Sequence, residues 1–272
     1  MKKYLPEIFT VLKKFKDDNL SLAANDMTYK LLLALFPFIL FIMAVLGFFN
    51  LDAYYIIDNL NDFIPHEIIG LVDVFITDIV SVRRPNLLSF SILLTLYSSS
   101  SGFGSLINGI NTAFHLEETR HIFKRYWISL LMVLTFTLAM AVSIVGIVFS
   151  TLIIDFLHHF FAFGPFMVFL YNVLLFLISM GIIIFSVIII LGLATNKKIK
   201  KRDLLPGATF TTLGWFVSSF GFNLYVSNWR NMSSVYGSVG AFIVLLMWLN
   251  LICNVILMGA AINARVLERK TE

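Results

Sequence analysis

Five histidines, one cysteine and a scatter of serines and asparagines are the side chains of this 272-residue chain whose types could do chemistry. The histidines are His66, His115, His121, His158 and His159. No two stand at HxxxH or HxH spacing beside acidic residues, the pattern a tetrahedral zinc site would need. His158 and His159, close to Asp155, come nearest to it. Cys253 is the single cysteine, so a disulfide framework or a CxxC knuckle is excluded, and it reads as a small buried hydrophobe. The run Ser98–Ser101 has no partnering base nearby in sequence, and no GxSxG, phosphate-loop or GxGxxG context occurs. The residues therefore nominate no catalytic group, no metal site and no cofactor, and the chain is expected not to be an enzyme. Arg120 with Glu117 or Glu118 is the nearest thing to an acid/base pair.

Neutral polar residues inside apolar runs carry more information. Ser101, Gly104, Asn108 and Asn111 recur at spacings of three and four, which places them on one helical face. Ser98–Ser101 with Gly102 is a point where that helix could thin or break. Thr212, Ser219, Asn223 and Ser227 share another face, and Asn250 and Asn254 lie one turn apart. Tyr225, Asn228 and Tyr236 cluster at the outer end. Two readings stay open. In the first, small and amide side chains only pack helices together, each interhelical bond contributing about 0.6 kcal/mol. In the second, Ser101, Asn108, Asn111, Thr212, Ser219, Asn223, Tyr225, Asn228, Tyr236, Asn250 and Asn254 line a polar path. Three helices each bearing such a stripe exceed what packing needs.

The elements that must position these residues are visible in the charges. Residues 31–51, 87–114, 126–154, 156–196 and 204–264 hold no Asp, Glu, Lys or Arg apart from Arg230. The chain is 59% hydrophobic and 13% charged, with mean hydropathy +0.89, where soluble domains average about 25% charged. A charge at mid-bilayer costs about 2.5–3.5 kcal/mol on insertion scales, so this exclusion marks an integral membrane protein. The fold class expected is all-α: one membrane domain over 1–272 with six transmembrane helices, at about 27–49, 87–114, 127–154, 166–194, 206–228 and 236–263. Residues 1–26 read as a cytoplasmic interfacial helix, with Tyr4, Ile8, Leu12 and Phe15 at helical spacing beside Lys13, Lys14 and Lys16. Residues 52–84, split by Pro65, read as two extracytoplasmic amphipathic helices. Pro37 should kink the first span, and Pro206 should occupy the first turn of the fifth. No removable signal peptide is read at the N-terminus.

Seventeen of the 20 Lys and Arg residues fall in 1–30, 115–125, 195–203 and 265–272, and only Arg83, Arg84 and Arg230 fall in the alternate loops. By the positive-inside rule both termini are cytoplasmic. The pI near 9.1 does not signal nucleic acid, because the basic residues sit at the ends of apolar runs. Arg120, Lys124, Arg125, Lys197, Lys198, Lys200, Lys201 and Arg202 can serve topology alone, or hold an anionic headgroup at about 1 kcal/mol per basic residue. Membrane lipids, anionic ones among them, are the expected partners, and self-association is left open.

Several of these residues also match a known pattern. Ser100-Ser101-Gly102-Phe103 through Ile107-Asn108 and Asn111, followed by Glu118 and Arg120, resembles one hallmark of the YihY/virulence factor BrkB family. Pro206-Gly207-Ala208 with Trp215, Phe222, Tyr225 and Val226 resembles another, as does Tyr236-Gly237-Ser238 with Trp248, Gly259, Ala260 and Asn263. Ala23 to Tyr29, then Leu35 and Pro37, fits the opening pattern. The resemblance covers nearly the whole chain. It implies a multi-pass protein of the bacterial cytoplasmic (inner) membrane, in a family linked to serum resistance and to handling of lipopolysaccharide precursors. It also brings an older label, ribonuclease BN. The residues argue against that label, since a metal-dependent nuclease needs a His/Asp cluster in water. The expectation is a transporter or flippase-like protein for an envelope lipid or other amphiphile. A non-transporting scaffold or regulator of envelope assembly is the alternative.

Overall fold

A computed structural model describes residues 5–48, 85–139, 142, 165–227 and 233–271. All regular structure among them is helical: α1 Leu5–Asp17, α2 Leu20–Phe48, α3 Pro85–Ala113, α4 Ile122–Ala139, α5 Pro165–Ala194, α6 Lys201–Ser227 and α7 Ser233–Thr271. Apolar stretches long enough to cross a membrane run over Ser89–Ala113, Ile122–Ala139, Phe169–Ala194 and Phe242–Lys270. Their large apolar side chains, such as Phe90, Leu93, Trp127, Phe169 and Phe185, face outward. A water-soluble helix buries that face, and a membrane helix gives it to lipid. The expected helices over 52–84, the end of the third span, Arg230, Asn228, His158 and His159 lie outside the described residues.

Helix starts and stops follow local chemistry. The stretch expected to form one interfacial helix over 1–26 divides at Asn19, which takes a left-handed conformation (φ 53°). Asn tolerates that region better than most residues. The amide of Asp18 donates to the Lys14 carbonyl and that of Asn19 to Lys16, closing α1 before α2 begins. At the end of α3, His115 (φ 52°) occupies the position usually given to glycine. Its N–H donates to the Thr112 carbonyl and that of Leu116 to Asn111, the paired bonds of a Schellman cap. Through Ser98–Gly102, where the sequence suggested a break, α3 continues unbroken. Pro206 lies inside α6, beyond its first turn, because the helix already begins at Lys201.

The chain forms two compact units. The first contains Met1–Ser21, Leu106–Phe216 and Val255–Glu272. Its tightest seam joins α6 to α7. A Cβ built on Gly207 would lie 2.1 Å from the Gly259 carbonyl oxygen, and one on Gly259 would lie 2.0 Å from Thr211 Oγ1. Only glycine lets these backbones meet. Buried Asn263 completes the seam. Its amide oxygen accepts from the Gly207 N–H (2.7 Å) and its amide nitrogen donates to the Leu204 carbonyl (3.0 Å), serving backbone groups around Pro206. The second unit contains Leu22–Ser105 and Val217–Asn254. There α3 meets α2 at Gly102, where a Cβ would come within 2.8 Å of Leu31 Cδ2.

Candidate functional site

In the second unit, α2 places Asn25, Asp26, Thr28 and Lys30 within two turns. Lys30 Nζ donates to Asp26 Oδ2 (2.9 Å) and to Ser105 Oγ (2.7 Å), and Ser105 Oγ donates to Asp26 Oδ2 (2.5 Å). The three groups form a closed ring. The i, i+4 spacing brings the two charges together on one helix face, and α3 supplies the hydroxyl. Along the same turns, Asn250 of α7 donates to Asn25 Oδ1 (2.7 Å) and to Thr28 Oγ1 (3.3 Å). Asn254 donates back to the Asn250 carbonyl and to its amide oxygen. Cys253 is buried beside Thr28.

The depth of this cluster is set by its partners. Ser105 lies eight residues inside the end of the apolar stretch Ser89–Ala113, about 12 Å along the axis. Asn250 lies eight residues into Phe242–Lys270. The ion pair bonded to Ser105 therefore lies beside an apolar stretch long enough to cross a membrane, about two turns in from its end. The loop charges assign residues 1–30 to the cytoplasmic side, so the sequence reading singles out no ionisable group there. Asp26 and Lys30 were thus missed, and so was Ser105, although Ser101, Ser105 and Asn108 keep helical spacing. A serine in register with two charges one turn apart was the available signal.

The first unit holds a second polar constellation in the loop after α3. Glu118 Oε1 accepts from the backbone N–H (3.0 Å) and Nε (2.7 Å) of Arg120, and Oε2 accepts from Arg120 Nη2 (2.5 Å) and Asn111 Nδ2 (2.9 Å). Arg120 also donates to the Leu193 (2.9 Å) and Ala194 (2.7 Å) carbonyls, capping the C-terminus of α5. The Asn196 backbone N–H donates to Asn111 Oδ1, and its side chain donates to the Glu117 carbonyl and Thr119 Oγ1. The hydrogen bond from the Arg120 guanidinium holds the Glu118 carboxyl below its ordinary value, outweighing the opposite effect of burial. Glu118 is thus an anchored carboxylate, and the pair is built as a clamp.

Beyond the clamp, in the same unit, lies a cavity of about 530 Å³ lined by Lys197, Lys198, Ile199, Lys200, Arg202, Asp203, Leu267 and Lys270. Lys197, Lys198, Lys200 and Arg202 are exposed, while Asp203 is buried and paired with Lys270. Lys201 sits 5.7 Å from the Phe185 ring centroid, a cation–π distance.

The residues nominated from sequence thus separate. Lys197, Lys198, Lys200 and Arg202 share the basic cavity, Lys124 is exposed elsewhere and Arg125 is half-buried. Arg120 is committed to the clamp with Asn111. Asn250 and Asn254 meet in the second unit with Asn25, which the sequence did not single out. Thr212 is buried and donates to its own helix at Ala208, Ser101 and Ser219 are half-buried, and Asn108, Asn223 and Tyr225 are exposed. Tyr236 belongs to α7. Among the described residues no group of three His, Cys, Asp or Glu side chains is placed to hold a metal ion.

Long apolar helices with outward-facing aromatic and aliphatic side chains define an integral membrane protein of the multi-helix class. Residues 11–272 match the family described as Virulence factor BrkB, and the chain belongs to that family. It is 30% identical over 253 residues to the ribonuclease-like protein YfkH of Bacillus subtilis, covering 90% of this chain and 89% of that one. It is 24% identical over 269 residues to a UPF0761 membrane protein of Alteromonas mediterranea, covering 94% and 86%. A UPF0761 membrane protein of Photobacterium profundum is 24% identical over 268 residues, covering 95% and 80%. No solved structure matches it.

Proposed function

We propose that this protein moves an anionic amphiphile of the cell envelope across the bacterial cytoplasmic membrane, with no covalent chemistry. The observation that carries the reading is the Asp26–Lys30–Ser105 ring, bonded to α3 within the apolar stretch Ser89–Ala113. Ionisable groups there are costly, and where they occur they mark pathways and relays. The basic cavity adds a place for a headgroup: Lys197, Lys198, Lys200 and Arg202 supply charge, and Ile199 and Leu267 supply apolar contact. Six crossings, with α2 and α6 as the first and fifth and both termini cytoplasmic, is the topology that the loop charges favour.

The scaffold reading draws on Asn111 and Asn196, whose amides tie together the loops after α3 and α5, and on Asn263, which joins α7 to α6. One assay separates the two. The full chain is reconstituted into vesicles carrying fluorescent phosphatidylglycerol, and dithionite bleaches the label in the outer leaflet. The expected result is continued bleaching as inner-leaflet lipid crosses, faster than in protein-free vesicles. Changing Lys197, Lys198, Lys200 and Arg202 together to Gln should slow it. A rate equal to that of protein-free vesicles sinks the transport reading and leaves the scaffold.

A further inference from the structure

We infer that the Asp26–Lys30–Ser105 ring takes up a proton together with the anionic group of the cargo, so that binding is coupled to proton uptake at Asp26. The inference rests on the transport reading and adds its coupling ion.

The chemistry follows from the ring. Lys30 donates to both Asp26 and Ser105, and Ser105 donates to Asp26, so each member of the ring bonds the other two. The Asp26 and Lys30 side chains are 48% and 33% exposed, so an incoming group can reach both. A phosphate or other anionic headgroup arriving at Lys30 competes with Asp26 for the same ammonium. Once Lys30 turns to the headgroup, Asp26 is a carboxylate beside an apolar stretch without its counter-ion. Loss of a cation and low polarity both favour the neutral acid. Asp26 then takes a proton from a solvent hydronium ion: the carboxylate becomes a carboxylic acid, hydronium becomes water, and Lys30 only changes partner. The acid can still hydrogen-bond Ser105. Release of the headgroup returns Lys30 to Asp26 and expels the proton.

The surroundings favour a proton over a metal cation. Asp26 is the one carboxylate of the ring, and among the described residues no group of three His, Cys, Asp or Glu side chains is placed to hold a metal ion there once Lys30 has turned away. The groups along the same stretch of α2 are Ser105 from α3, and the amides of Asn250 and Asn254 and the thiol of Cys253 from α7. None of these is a second carboxylate that would share the proton.

Calorimetry tests this on the full chain in a neutral detergent at neutral pH. Short-chain phosphatidylglycerol is titrated in two buffers of different ionisation enthalpy, which yields affinity and protons per lipid together. Short-chain phosphatidylcholine is the control. For the native protein we expect preference for phosphatidylglycerol and uptake approaching one proton per lipid, as full neutralisation of Asp26 requires. Asp26→Asn should bind the lipid with no proton uptake. Lys30→Gln should remove lipid-linked uptake by a different route, since it deletes the cation that changes partners, and it keeps the test open if Asp26→Asn does not fold. Phosphatidylglycerol binding without proton uptake overturns the coupling and leaves the transport reading standing. No preference over phosphatidylcholine overturns the anionic-cargo reading itself. Uptake that persists in either variant overturns the assignment to this ring.

Discussion

The clamp at Glu118–Arg120 and the ring at Asp26–Lys30 use the same three kinds of group, a carboxylate, a cation and a neutral polar side chain, for opposite ends. In the clamp the side chains are 14% and 8% exposed, and the cation is tied to two carbonyls at the end of α5 as well as to its carboxylate. In the ring they are 48% and 33% exposed, and the cation is shared between a carboxylate and a serine. Arginine's planar fork suits the first task and lysine's compact, mobile ammonium suits the second. The difference teaches how to tell a structural ion pair from a working one in a membrane protein. A structural pair spends its donors on backbone that has no other partner. A working pair can release its counter-ion and still leave every backbone group satisfied.

The largest expected effect tests that distinction directly. Replacing Arg120 with Met leaves Glu118 buried without its partner and uncaps the Leu193 and Ala194 carbonyls. Removing one partner of a buried pair costs about 3–5 kcal/mol. Lys30→Met leaves an Asp26 that is 48% exposed and can take up a proton in place of its counter-ion, so a smaller cost is expected. Thermal unfolding of both variants in the same detergent should show a large drop in midpoint for Arg120→Met and a small one for Lys30→Met. Equal drops would break the comparison.

Acid provides the second test, of intermediate size. The folded-state value of Glu118 is depressed, so its contribution is complete above the ordinary glutamate value and is lost as pH falls through the lowered one. Below that point Glu118 is protonated in both folded and unfolded chains and contributes nothing. The unfolding midpoint of the native protein should therefore decline steeply on the acid side. Glu118→Gln should start lower at neutral pH and show a flatter acid decline. An unchanged acid slope in Glu118→Gln would remove Glu118 from the account of acid sensitivity.

Much of the architecture could be read in the residues because lipid is an exacting solvent. The charge-free run 87–114 corresponds to α3 (Pro85–Ala113) within two residues, and α5 (Pro165–Ala194) lies inside the run 156–196. Of the basic cluster, Lys197, Lys198, Lys200 and Arg202 line one cavity, while Lys201 lies over Phe185. What charge counting misses is a charge that has found its partner. Asp26 and Lys30 pair with one another one turn apart, so a tally of single residues counts them as loop charges and passes over the ring they form with Ser105. The breaks at Asn19 and His115 were hidden for a different reason: both are left-handed positions filled by residues other than glycine. The Asn263 seam depends on a meeting of α6 and α7 that no local pattern encodes, although Gly259, Ala260, Ala261 and Ala264 around it mark a small-residue face.

The smallest effect gives the sharpest form of the comparison, because both its variants lie on one helix. Ser105 and Asn111 are both buried on α3, and each bonds a carboxylate. Asn111→Ala strips one donor from Glu118 and leaves the Asn196 N–H without its acceptor. A buried polar group left unsatisfied costs about 1–3 kcal/mol. Ser105→Ala removes a hydroxyl from a ring whose two charges still reach each other at 2.9 Å. It should cost about 0.6 kcal/mol, the average for a single interhelical hydrogen bond in a membrane protein. Unfolding of the two variants against native protein in one detergent measures the ratio. If Ser105→Ala costs as much as Asn111→Ala, the ring is holding α2 to α3 as firmly as the clamp holds its loop. A counter-ion that is structurally indispensable cannot be handed to a passing headgroup, and the proton-coupling assignment would then fail on stability alone.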